Sequence, residues 1–574
     1  MRFYNVKDNK KSGFNDPLKI ILIGGTEKVN KNLTVYEYKN EIIIVDCGIG
    51  FPDIFDMPGV DFLIPDFTYL LENQYKIKGV FITHAHEDHV GAVPNLLQEL
   101  PDVPIYASKL VGEFLKVKMS DKRYGDLGKR GFKYHLMDPT TGEVDLGSFK
   151  ISAFRINHSV PESMGFAIKT SEGLFLHVAD FKFDETPVLD KPADVETIKK
   201  YADEGVMCLL SDCLLVTEEG HTESEKTLTD TFFKLFERAG KRQVLVTTIS
   251  SNVSRMYQVM DAAKKHGRKV VPSGRSIEQM VGVARGLGYL PFSDDFFVKE
   301  QESQKYMQGD LVYLIAGCYG QPGSSLGRLS RGEHESISLR EDALVIFSGD
   351  PAPPGASITV EKVMDALTLR GAEIVFGEIQ DNLHVSGHAR RGDIERMVKL
   401  VHPQYFIPIG GSITKMRIYT KFVGTLGFSK DKVFECLEGD SVEFSGGKAQ
   451  KGKHINTKPV YVDGSKAEEL DPIIIEDRNH LCNDGVFVVA IPVSKKGIIF
   501  SDKLEIITRG FIYVKESKEL MDKSKKHISK RLGKVSSKSK NITDHKKKLE
   551  SDIRSFLYKQ TGMSPLVIVH FITI

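Results

Sequence analysis

The six residues His84-Ala85-His86-Glu87-Asp88-His89 constrain this chain more than any other stretch. They follow the apolar run Val80-Phe81-Ile82, so a strand is expected to end where three imidazoles and the Asp88 carboxylate begin. Such a turn gathers polar side chains at a sheet edge, where one or two divalent ions can be held. Neutral imidazole with carboxylate suits zinc, with manganese as the alternative. The blander reading is a polar loop whose histidines cap or pack. Four ligand-type side chains in this order favour the metal.

At 574 residues the chain exceeds a single core, and about three domains are expected. Apolar residues at 41% and charged residues at 27% give an ordinary globular composition. No apolar run has the length to span a bilayer, and the polar residues 1–16 are no secretory signal. Six scattered cysteines without a CxxC pair read as reduced thiols, so a cytoplasmic protein with no membrane partner is expected. A net charge of +1 announces no polyanion partner, yet a groove can be basic locally.

Up to residue 222 short β-rich runs dominate, at 18–23, 35–38, 42–45, 80–83, 105–107, 149–155, 165–169, 174–178 and 208–211. They predict stacked sheets with helices outside. From 223 to 370 the texture is βαβ: strand 244–248 into helix 253–265, strand 269–272 into helix 277–287, then strands 311–315 and 343–347 and helix 359–370. A separate α/β module with a parallel sheet follows. Gly-rich loops at 316–320 and 348–350 could cradle phosphates there. Residues 371–452, with helix 394–401 and strand 405–408, return to the first domain. The Lys/Gly-rich stretch 446–457 reads as linker, with the domain linker drawn over 453–475. The last module, 476–574, should hold strands 486–493 and 504–514, helices 516–533 and 543–560, and an apolar closing run 566–574 that needs cover on both faces. The basic run 523–548 reads as solvated helix faces around a Ser/Lys loop at 534–541 rather than an RNA contact.

Three further polar residues stand at strand ends: Asp46 after 42–45, His158 after 153–156, and Asp180 after 174–179. Each alone is more often a turn-former than a ligand. With the first cluster they supply two tetrahedral sites, provided one carboxylate bridges both ions. Asp46 would orient a ligand histidine from behind. Another histidine pair stands in His384-Val385-Ser386-Gly387-His388.

These segments together resemble ribonuclease J, the β-CASP branch of the metallo-β-lactamase fold. The likeness is carried by Asp46-Cys47-Gly48-Ile49-Gly50-Phe51-Pro52, the His84–His89 motif, Asn157-His158-Ser159, Asp180-Phe181-Lys182-Phe183-Asp184, Gly274-Arg275-Ser276 and the 384–388 motif. It extends through the last module, including 506–517. The fold implied is an α/β protein: a metallo-β-lactamase αββα sandwich, an inserted β-CASP domain and a small C-terminal α/β oligomerisation domain.

The resemblance implies a zinc-dependent RNA hydrolase, a 5′-to-3′ exonuclease with endonuclease activity, attacking phosphorus in line with water activated between two cations. His84, His86 and His158 would hold one zinc with Asp180; Asp88, His89 and Asp180 would hold the other. Asp88, Asp212 and His388 are the catalytic candidates, His388 as proton donor to the leaving oxygen. Ser386 and His388 would hold the scissile phosphate, and His384, Val385 and Gly387 would join them in binding RNA. Ser251, Asn252 and Val253 would grip RNA backbone. A structural calcium is implied at Gly59, Asp61 and Asp463. Homodimers or homotetramers, a hetero-oligomer with a paralogue, and an RNA-decay assembly are the implied partners.

The chain departs from the family where a Pro-x-His-Gly-Glu pattern is expected and Pro408-Ile409-Gly410-Gly411-Ser412 stands. Gly410 cannot ligate through a side chain, and His402 precedes the strand, too early to replace it. Cys213-Leu214-Leu215 replaces a Ser-Thr-Asn run, Ser254 stands in a usual histidine position, and 314–322 differs from a Thr-Gly-Ser-Gln-Gly-Glu-Pro stretch. The expectation is one tight metal and one weak one. The alternative reading is a catalytically weakened RNA-binding subunit that partners an active paralogue. A small-ester or thioester hydrolase is a third option, disfavoured by the α/β insertion.

Overall fold

The computed structural model describes residues 16–28, 30–52, 57–349, 356–463, 468–495, 498–512, 517–533 and 542–574. The Ser/Lys loop expected at 534–541 lies outside them, as do residues 1–15, Asp350 in the second Gly-rich loop, and 513–516 of the last quoted motif. The chain divides into two compact units, the first built mainly from Phe62–Val460 with the residues before 52, the second mainly from Glu468–Ile574.

In the first unit two sheets face each other. One has eight strands in the order Lys448–Lys451, Ser441–Ser445, Leu18–Gly24, Leu33–Tyr38, Glu41–Val45, Ile77–Phe81, Ile105–Ala107 and Tyr134–Leu136. The other has six: Tyr405–Ile409, Val206–Asp212, Gly173–Ala179, Met164–Thr170, Lys150–Arg155 and Glu143–Asp145. Alternate residues of both sheets, among them Ile20, Tyr36, Phe81, Phe166, Phe175 and Leu210, form the dry layer between them. Residues of opposite parity on the second sheet, such as Phe154, Leu176 and Leu209, pack under helices carrying Ile198, Met397 and Tyr419. A period-2 pattern with both faces apolar demands this layering.

A five-stranded, all-parallel sheet is inserted between Asp212 and Tyr405, in the order Lys269–Ser273, Leu311–Ile315, Val244–Thr247, Leu344–Phe347 and Glu373–Val375. Its last strand lies beyond the boundary expected at 370, because Leu344–Phe347 needs an edge partner and 373–375 supplies one. The stretch read as linker from 446 is also corrected. Gly446 and Gly447, at φ 57° and 76°, make a two-residue turn joining Ser441–Ser445 to Lys448–Lys451. Two consecutive positive φ values are what a tight hairpin needs, so glycine here marks a turn rather than slack chain.

The second unit has a three-stranded sheet, Glu505–Arg509, Val486–Val493 and Leu566–Thr573. Helices Lys518–Leu532 and Ile542–Thr561 cover one face through Ile528, Leu532, Ile553 and Leu557 against Phe487, Val489, Val567 and Val569. The other face of the closing strand leaves Ile568 and Ile572 exposed within this unit. Helix Pro472–Asn483 was not expected; it starts on an Asp471 cap followed by proline.

Candidate metal centre

Strand direction explains why residues far apart in sequence meet. Glu41–Val45 and Ile77–Phe81 run parallel, with Val45 opposite Phe81, so Asp46 and Thr83-His84 leave the first sheet at one edge. In the second sheet Gly173–Ala179, Val206–Asp212 and Tyr405–Ile409 are parallel, with Ala179 opposite Ser211 and Asp212 opposite Ile409. Asp180, Asp212 and Gly410 therefore stand side by side at its C-terminal edge. Lys150–Arg155 is antiparallel to Met164–Thr170, itself antiparallel to Gly173–Ala179, and so delivers His158 to the same edge.

At that edge His84, His86 and His158 form one buried group whose ligand-capable atoms lie within 4.8 Å of one another. His84, His89 and Asp180 form a second such group, and His158, Asp180 and His388 a third. Asp180 Oδ2 is 3.1 Å from His89 Nε2, 4.0 Å from His158 Nε2 and 3.9 Å from His388 Nδ1. Asp88 stands slightly apart, its Oδ2 3.6 Å from His89 Nε2. His402 is not brought in; it caps helix Arg391–Val401 in the left-handed conformation with its ring beside Phe428.

Neighbours fix the rings. Asp46, itself left-handed at φ 62°, accepts from Thr83 N at 2.8 Å and from the Thr83 hydroxyl, and meets His89 Nδ1 at 2.7 Å. The Thr83 hydroxyl also meets His84 Nδ1 at 3.0 Å, so Asp46 governs two imidazoles, one of them through Thr83. His158 Nδ1 donates to the Gly387 carbonyl at 2.7 Å. An added Cβ at Gly387 would fall 2.6 Å from this ring, so only glycine allows the approach.

Burial, then the neighbouring imidazoles, hold His84 and His86 well below the usual histidine range. Burial and then His388 push His158 down to about 3. Neutral rings present lone pairs to a cation. His89 goes the other way: burial opposes the charged form, but Asp180 and Asp46 raise it well above the usual value. Asp88 is pushed up to about 6, mainly by desolvation. A divalent cation fits the first group on a direct observation: His84 Nε2 is buried with no hydrogen-bond partner. Leaving such an atom empty-handed costs about 1–3 kcal/mol, and a metal bond would satisfy it.

His388 Nδ1 lies 2.7 Å from Asp212 Oδ2, and its amide donates to Ser386 Oγ at 3.2 Å. The 384–388 segment thus flanks the cluster. Asn252 and Val253, the residues expected to grip RNA backbone, stand at the start of a helix. Both are buried, their amides donate to Ile249 O and Ser251 O, and Asn252 Oδ1 caps helix Val253–Lys265 by accepting from Arg255 N. Ser251 is also buried. Near the residues implied for calcium, Arg478 Nη1 donates to the carbonyls of Gly59 and Pro58 at 3.0 and 3.2 Å. A guanidinium thus supplies positive charge at the Gly59 carbonyl. Asp61 N donates to the carbonyl of Val462, the residue before Asp463.

Sequence reasoning missed Arg255 and Thr222, which reach the 383–388 segment, and Glu225, which pairs with Arg255. No local signal marks them, since an arginine followed by a helical run reads as a surface residue. Position 410 is a different case. Gly410 has φ 67°, and a Cβ there would lie 3.5 Å from Asp180 Oδ1 and from Asp212 Oδ1.

Comparison with known proteins agrees with this architecture. The metallo-beta-lactamase superfamily model matches residues 27–240, the ribonuclease J beta-CASP domain 241–367, and the ribonuclease J C-terminal domain 473–574. Ribonuclease J2 of Bacillus subtilis is 32% identical over 96% of this chain and 98% of its own. Ribonuclease J 1 of Streptococcus pyogenes is 31% identical over 96% and 97%. A crystal structure of a protein of unknown function from Enterococcus faecalis V583 superposes with a TM-score of 0.51 at 15% identity, covering 75% of this chain and all of that one.

Proposed function

The chain belongs to the ribonuclease J family of metal-dependent RNA nucleases, and we propose that it works as a 5′-to-3′ exonuclease with endonuclease activity, using zinc held tightly at one position and weakly at a second. One observation carries this: the Gly387 carbonyl on His158 Nδ1 sets the Ser386–His388 turn directly against the metal-capable cluster. A phosphate held by that turn would lie beside the ions.

His84, His86, His158 and Asp180 would hold the tight ion; Asp88, His89 and Asp180 would hold the weak one, in the absence of a side chain at 410. Divalent zinc in such a centre acidifies water and neutralises charge on a transferring phosphoryl group. Ser386 Oγ and the His388 ring bind the phosphate. Asp212 fixes that ring through Nδ1, leaving Nε2 to pass a proton to the leaving oxygen. Asp46 keeps His84 and His89 in the orientation that frees their Nε2 atoms. Cytoplasmic location, dimers or tetramers and work in an RNA-decay assembly accompany this reading through family membership. A purely RNA-binding, non-catalytic subunit is not favoured, because relatives named ribonucleases align over nearly the whole chain.

The test is incubation of the purified chain with zinc or manganese and a 5′-monophosphorylated RNA. Monophosphate-dependent release of mononucleotides is expected, and Asp180→Asn should abolish it while circular dichroism stays unchanged. Equal turnover by Asp180→Asn, or none by the parent with either ion, would defeat the proposal.

A further inference from the structure

Arg255 is completely buried, an unusual place for a guanidinium. Each of its nitrogens is used. Nε donates to Glu225 Oε2 at 3.2 Å, and Nη2 to Glu225 Oε1 and Oε2 at 3.0 and 2.9 Å and to Val385 O at 3.3 Å. Nη1 reaches Ser348 O, Ser348 Oγ and His384 Nδ1 at 3.0, 2.9 and 3.3 Å. Ser348 Oγ in turn donates to Leu383 O at 2.7 Å. One side chain therefore joins a helix of the inserted domain, the end of one of its central strands, and the approach to the Ser386–His388 turn.

Its partner Glu225 belongs to a segment that reaches the metal side. Glu225 N donates to Asp184 Oδ2 at 3.1 Å, four residues beyond Asp180. The fully buried Lys182 Nζ donates to Glu223 O at 3.1 Å. Thr222 Oγ1 donates to the His388 carbonyl at 2.6 Å, and Gln258 Nε2 to Glu225 O at 2.7 Å. The strand-end loop after Asp180 and the turn bearing His388 are tied to the same four residues, 222–225. A planar, five-donor guanidinium suits this task, since a lysine cannot serve so many acceptors in fixed directions.

We propose that Arg255, paired with Glu225, is a positioning residue that sets the Ser386-Gly387-His388 turn at its working distance from the metal-binding cluster. The pair touches neither substrate nor ion; it acts through His388. This rests on the reading of that turn as the phosphate-holding element.

The test uses the full chain loaded with zinc, in the double variant Arg255→Met/Glu225→Leu, which removes both charges at similar volume and leaves neither buried alone. Hydrogen exchange at the amides of 384–388 should speed up at least 10-fold while 244–247 and 344–347 stay protected. On a 5′-monophosphorylated RNA at saturating zinc, kcat should fall at least 10-fold. If the double variant does not fold, Arg255→Lys, which keeps the ion pair but loses the fork, takes its place with the same expectations. Unchanged exchange at 384–388, or faster exchange with parental kcat, overturns the proposal. A parent without nuclease activity defeats the nuclease reading instead, and exchange alone then decides the brace.

Discussion

Replacing Gly410 with histidine should raise affinity for a second divalent ion without altering the first. A Cβ at 410 would meet Asp180 Oδ1 and Asp212 Oδ1 at 3.5 Å, ordinary contact, so the side chain has room. The backbone there is left-handed at φ 67°, which costs a non-glycine residue roughly 1–2 kcal/mol of folding stability. That strain is paid equally with and without metal and does not enter the binding constant. Losing a group behind a metal ligand typically costs 10–100-fold in affinity, about 1.4–2.7 kcal/mol, and a direct ligand should be worth at least as much. We therefore expect Gly410→His to bind the second ion at least about 10-fold more tightly than Gly410→Ala, which carries the same strain and no imidazole. Calorimetric titration with manganese after one equivalent of zinc reads this directly. Two equally tight ions in the parent, or identical second-ion binding by the His and Ala variants, would refute the reasoning.

Gly387→Ala should displace His158, since the new Cβ would sit 2.6 Å from its Cε1 and Nδ1; a loss of at least about 10-fold in tight-ion affinity is expected by zinc competition, and parental affinity would count against it. His177, whose Nδ1 meets the Tyr36 hydroxyl at 3.0 Å, is pushed down to about 4 by burial. The unfolded chain binds a proton there near pH 6.5 and the native one does not, so stability falls as pH drops from 7 to 5, by roughly 2 kcal/mol from this group. Denaturant midpoints should show that slope, and His177→Gln should lack its share.

Much of the cluster was legible because its metal-capable residues stand in short motifs. The His84–His89 run, His158 and Asp180 each follow an apolar run, and strand ends are what alternating apolar residues mark most clearly. The same periodicity located helix Val253–Lys265 and strands Leu311–Ile315 and Val486–Val493. It failed at 446–451, where glycine composition suggested slack and two left-handed residues make a hairpin.

By itself the sequence determined which residue types stand at the strand ends: three imidazoles and a carboxylate after one strand, metal-capable residues after others, and a glycine where a histidine was expected. Only the tertiary structure decided how they are held. Parallel pairing brings Asp46 beside Thr83, and Asp180 beside Asp212 and Gly410. Long-range hydrogen bonds from Gly387, Thr222 and Arg255 then aim the rings and the turn. The physical reason is that a strand-end motif depends on neighbours in sequence, whereas orientation depends on atoms tens to hundreds of residues away.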